Sequence, residues 1–171
     1  MGLADIAAGL STTTEQDERG VASVDATDAV LGDALAEFAA ALPCKPVAAA
    51  AVAEAYVGGA AVDAAGHDAG VAPMTAAKTL HRLGFAGLSP VSATGERVLE
   101  DHLAGRVSRA DARGLLSLSD AEFALATYVA THDAIDGARD VVEGALAAER
   151  TASVEKRDAL DATMPDGENR P

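Results

Sequence analysis

The segment AVDAAGHDAGVAPMTAAKTLHRLG, Ala61 to Gly84, constrains the fold most. It holds two runs of helix-forming residues, Ala61 to about Asp68 and Pro73 to Leu83. Both fall short of the ~12–15 residues that an isolated helix needs in water, so they must pack on something. Gly70 between them suits a turn with positive φ. Pro73 opens the second run, where its missing N–H costs nothing, and Gly84 closes it. The pattern predicts a helix-turn-helix: Ala65 and Ala69 small at the crossing, Val71 plugging the core, and Ala76, Leu80 and Leu83 buried at helical spacing. The outward face is then Met74, Ala77, Lys78, His81 and Arg82.

The rest of the chain reads the same way. Leu31, Leu35, Phe38 and Leu42 recur at three- and four-residue spacing, predicting a helix from Asp28 to Leu42 behind a Thr27 cap and before Pro43. Pro46 stands at the N1 position of a helix over Val47 to Val57. Further helices are expected over 95–104, 109–116 and, from the capping box Ser119-Asp120-Ala121-Glu122, to about Thr131. A last one spans about Gly137 to Ala148. Leu3, Ile6 and Leu10 give residues 1–10 one apolar side. Strand alternation is absent, so the expectation is all-α. A compact multi-helix domain over 27–149 is expected, between an N-terminal extension (1–26) and a polar, disordered acidic tail (150–171).

A shift of 47 residues lays Gly58 on Gly105, Ala65 on Ala112, Ala69 on Leu116, Val71 on Leu118, Ala72 on Ser119 and Ala76 on Phe123. The first unit is residues 46–84. Residues 94–131 then read as a tandem helix-turn-helix-like unit whose last helix opens on Asp120 and Glu122, which suit the helix dipole and repel phosphate.

Acids outnumber bases 27 to 13, for a net charge of -14. On that balance the chain resembles small, acidic, uncharacterised haloarchaeal proteins with a helix-turn-helix, in which surface acidity serves solubility in concentrated salt. Residues Tyr56, Gly59, Ala64, Ala65, Gly70, Val71, Ala72 and Thr75 follow the order of the helix-turn-helix in serine-recombinase C-terminal domains. That resemblance covers only the motif, since no catalytic serine domain accompanies it. It implies that Met74 and Lys78 face base edges, with Thr75 beside them and His81 and Arg82 near phosphates. Ala72 departs from the pattern, where a capping Ser is usual. Between Lys78 and Arg113 the bases outnumber the acids, and Arg106, Arg109 and Arg113 extend the set as secondary phosphate contacts. The alternative is that these arginines pair with neighbouring carboxylates, Arg109 and Arg113 bracketing Asp111.

Other chemistry finds little support. His67, His81, His102 and His132 lack the spacing that places metal ligands on one helix face, and read as solvated. Cys44 is the single cysteine, so no intramolecular disulfide forms, and it reads as a packed thiol. Gly58-Gly59 and Gly84 to Gly87 match no phosphate loop. Adjacent acids such as Glu100-Asp101 point to different helix faces. No catalytic residue, metal or cofactor is expected, and neither a secretory signal nor a membrane span is legible, so the chain reads as cytoplasmic. The leading expectation is a dimeric DNA-binding regulator that places the 73–83 helix in the major groove of duplex DNA. The alternative is a helical protein–protein adaptor that keeps the motif as scaffold.

Overall fold

The computed structural model describes residues 25–163. Their α-helices are α1 (Asp25–Ala34), α2 (Pro46–Val57), α3 (Val62–Asp68), α4 (Pro73–Arg82), α5 (Glu96–Leu103), α6 (Arg109–Leu116), α7 (Asp120–Thr131) and α8 (Ala138–Thr163), with a 3-10 turn at Leu35–Phe38. No strand occurs among the described residues, so the chain is all-α. No helix there is long and apolar enough to cross a membrane. The apolar side expected of residues 1–10 lies outside the described residues.

Two helices depart from their sequence pattern. The first begins at Asp25, ahead of the expected Thr27 cap, and tightens into the 3-10 turn after Ala34 instead of running on to Leu42. The tightening keeps Leu35 fully buried as the chain turns toward Pro43. The last helix runs to Thr163, well past Ala148 and through most of the segment expected to be disordered. Polarity and the Pro and Gly residues of the segment suggested disorder there, but those residues come only from Pro165 onward, and no Gly or Pro interrupts the residues between Gly144 and Pro165, so nothing in the backbone stops the helix.

The helices form two units and a brace. In the first unit, α3 and α4 cross on α2 around Val52, Ala76 and Leu80, with Tyr56 edge-on to Phe85 at 5.4 Å between ring centres. Ala65 is fully buried, yet the closest approach is at Gly66, where an added Cβ would meet the Ala76 Cβ at 3.1 Å and the Val71 carbonyl oxygen at 3.2 Å. Ala69, expected at the crossing, is only half-buried. The second unit gathers α5, α6 and α7 around Leu99, Ala112, Phe123 and Ala126. The brace is the core of Leu31, Leu35, Ala49, Ala53, Leu83, Val142 and Leu146, which ties α1 and α8 to α2 and the end of α4.

The 47-residue shift also matches packing roles. Val52 and Leu99 are buried alike, as are Ala65 and Ala112, and Ala76 and Phe123; Val71 and Leu118 each flank their unit's core. The turn of the first unit takes positive φ at Gly70 (68°), and 47 residues later Ser117 does so at 54°. Glycine adopts that conformation freely, whereas Ser117 meets the Cβ penalty of left-handed backbone, roughly 1 kcal/mol. Gly70 has open space where a Cβ would sit, so φ alone decides the cost there. Gly70→Ala is therefore expected to lower unfolding stability by about 1 kcal/mol, and Ser117→Gly to raise it by up to about 1 kcal/mol. Chemical denaturation curves measure both, and changes of the same sign would refute the shared turn geometry.

Candidate functional site

The outward face expected of α4 is where the two units meet. In an α-helix, residues three and four apart share a face, so Met74, Ala77, Lys78 and His81 form one stripe. Helix α4 packs against α7, and Lys78 and His81 of the stripe meet it. Ala77, expected to point outward, is 6% exposed. Lys78 is half-buried with its Nζ 4.7 Å from the centre of the Tyr128 ring, a cation–π contact. His81 Nε2 donates to the His132 carbonyl, and its ring lies edge-on to Tyr128. Tyr128 in turn stacks on His132, with 4.0 Å between ring centres. Met74 and Thr75 are half-buried at the start of the helix, while Pro73 is exposed.

Arg82 completes the joint. Its Nε donates to the Ala41 carbonyl at 3.3 Å, its guanidinium also reaches the Asp133 carbonyl, and its own carbonyl accepts from Ile135 N–H at 2.8 Å. These bonds satisfy carbonyls in the loops on either side of α4, which otherwise have only water to turn to. Behind the stripe, the fully buried Thr79 hydroxyl lies 3.4 Å from Cys44 Sγ, so the thiol is a packed interhelical group.

The three arginines expected on phosphates each hold a carboxylate. Arg106 binds Asp101, at 2.8 Å through Nε and 2.6 Å through a terminal nitrogen. Arg113 reaches Asp120 at 2.6 Å and Arg109 reaches it at 3.6 Å, while the Arg109 guanidinium also lies over the Phe123 ring at 5.1 Å. Pairing with carboxylates, one of the two sequence readings, is what the geometry shows, but the partner is Asp120 and not Asp111. Asp111 instead belongs to its own helix start: Ser108 Oγ donates to its carboxylate at 2.6 Å and accepts from its N–H at 3.2 Å. The Arg113 hydrogen bond and charge hold the Asp120 carboxyl below the usual carboxylate range. The bonds from Ser119 in the expected capping box do the same for Glu122.

Among the histidines, His67 and His132 are exposed, whereas His81 and His102 are half-buried parts of the packing. His102 Nδ1 lies 3.1 Å from the Val107 carbonyl, and its ring sits edge-on to Phe123. No group of three potential metal ligands occurs among the described residues. Two clefts flank the joint: one of about 280 Å³ beside His81, Phe85 and Val129, and one of about 340 Å³ between α5 and α7, edged by Glu96 and Glu100. The first has mostly apolar walls, and the second sets Ser89, Glu96 and Glu100 beside aliphatic side chains.

Tyr128 is the residue that sequence reasoning missed. It stood only as one position of a helix, although its four-residue spacing to His132 marks a shared face. A family model describes a family of unknown function, DUF7858, and matches residues 1–169. No curated protein matches the chain, and no solved structure does. The geometry makes Lys78 and Tyr128 an energetic pair. A double-mutant cycle with Lys78→Ala and Tyr128→Leu is expected to show coupling of about 0.5–1 kcal/mol in unfolding stability. Strict additivity would mean that the ammonium is held by solvent alone.

Proposed function

The chain belongs to that family of unknown function, so its role must be read from its own geometry, and we propose that it is a helical protein–protein interaction adaptor in which the helix-turn-helix serves as scaffold. One observation carries this reading: Lys78 and His81, on the face that would read a groove, are engaged by Tyr128 of α7, and Ala77 beside them is buried. A recognition helix must present that face to base edges. Here Tyr128 and His132 stand where DNA would enter. The net charge of -14 and the carboxylate partners of Arg106, Arg109 and Arg113 point the same way, because phosphate binding draws on uncompensated cations. An apolar groove of about 350 Å³ beside α8, walled by Val30, Leu31 and Leu146, supplies surface for a protein contact.

DNA reading by Met74, Thr75, Lys78, His81 and Arg82 is the second reading. The exposed Pro73 and half-exposed Met74 and Thr75 at the start of α4 favour it. It requires α7 to move off the helix, breaking the contacts of Lys78 and His81 with Tyr128.

Binding of labelled genomic DNA fragments, followed by fluorescence anisotropy in potassium salt, separates the two. The adaptor reading expects wild type and Lys78→Ala/Arg82→Ala to be alike, with nothing tighter than the roughly 10⁻⁴–10⁻⁶ M of non-specific contact. Tight binding by wild type that the double substitution abolishes would establish the DNA reading in its place.

A further inference from the structure

We propose that the apolar groove beside α8 takes a second copy of this chain, the two α8 helices pairing antiparallel about a two-fold axis between Ala152 and Ser153. The inference rests on reading the chain as an interaction protein, and it names the first partner as the chain itself.

The starting point is the length of α8. Its 26 residues span about 39 Å at 1.5 Å per residue. Only its first part is packed: Ala138, Val142 and Leu146 are buried, and none of the described side chains after Leu146 is. The outer part, residues 147–163, is only slightly longer than the ~12–15 residues at which an isolated helix is marginal in water, so a neighbour would stabilise it.

The face that looks into the groove shows what kind. Ala145, Ala148 and Ala152 lie on it three and four residues apart, and Ala159 continues the row one heptad beyond Ala152. Small residues in this register let a second helix approach closely, and Val30 of α1, 64% exposed, gives that helix an apolar wall on its other side.

Charge selects a second copy. Glu149 and Lys156 flank the row, exposed and in no ion pair among the described residues. Neither has an opposite charge three or four residues away on its own helix, so neither is placed for a bond along the helix. They are one heptad apart on the same edge of the face. Antiparallel pairing sets like edges together, which brings Glu149 of each copy opposite Lys156 of the other. The complementarity occurs twice, as an isologous contact requires.

Sedimentation equilibrium on the full chain tests this, at the lowest salt in which circular dichroism shows it folded, so that screening does not hide the charge pairs. Wild type is expected to be dimeric. Lys156→Glu is expected to weaken the dimer by about tenfold, and the exchange Glu149→Lys/Lys156→Glu to restore it. Ala152→Arg, at an exposed position whose fold circular dichroism verifies, is expected to leave monomer only. A monomeric wild type would overturn the proposal, as would a dimer indifferent to Ala152→Arg and to the charge exchange. Neither outcome bears on DNA binding, so the adaptor reading stands or falls separately.

Discussion

The contact between α4 and α7 is the interaction on which the rest of the structure depends. It joins two units that each have their own small core, one around Val52, Ala76 and Leu80 and the other around Leu99, Ala112 and Phe123. Cores of this size bury few large side chains, so the surface between them has to contribute. Most of it is amphipathic: the Lys78 ammonium over the Tyr128 ring, the His81 ring donating to the His132 carbonyl, and Arg82 bridging loops from both sides. Such groups cover apolar surface with their stems and rings while their polar ends find partners. The same property explains why the face resembles a DNA-reading surface in sequence. Lys, His and Arg on an exposed stripe suit phosphates, and the same three suit carbonyls and an aromatic ring.

Charge follows a related logic across the second unit. Asp120 lies at the N-terminal end of α7, where the helix dipole favours an acid, and it draws Arg113 and Arg109 from α6. The two arginines thereby become part of the α6–α7 joint. Of the bases clustered in this part of the acidic sequence, Arg109 and Arg113 thus pair between helices.

Much of the fold was legible because its signals are local. Pro46, Pro73, Gly84 and the Ser119–Glu122 capping box fix helix ends through backbone chemistry within a few residues, and α2, α4 and α7 begin or end where those residues place them. Ser117 takes the left-handed turn that Gly70 takes 47 residues earlier, a correspondence that residue identity does not show. What the sequence hid was tertiary. Ala77 looked outward because it shares a stripe with Lys78 and His81, yet it is buried. Gly66 carries no signal of its own in the sequence, and only α4 laid across it makes its missing side chain matter. Asp120 lies seven residues beyond Arg113, outside the reach of a helical spacing rule, so the pairing needed the bend at Ser117 to become visible. The outer part of α8 misled for another reason: a polar composition describes solvent exposure, and an exposed segment can still be helical.

The central claim is that α7 covers α4 in the resting protein, as part of one cooperative structure. Native-state hydrogen exchange on the backbone amides of both helices tests it most directly, because opening of the joint exposes α7 without unfolding α2 and α3. The account predicts that interior amides of α4 and α7 exchange with the same opening free energy, close to that of global unfolding. Exchange of α7 at a much lower free energy than α4 would contradict it, for the stripe of Ala77, Lys78 and His81 would then be bared in a readily populated state.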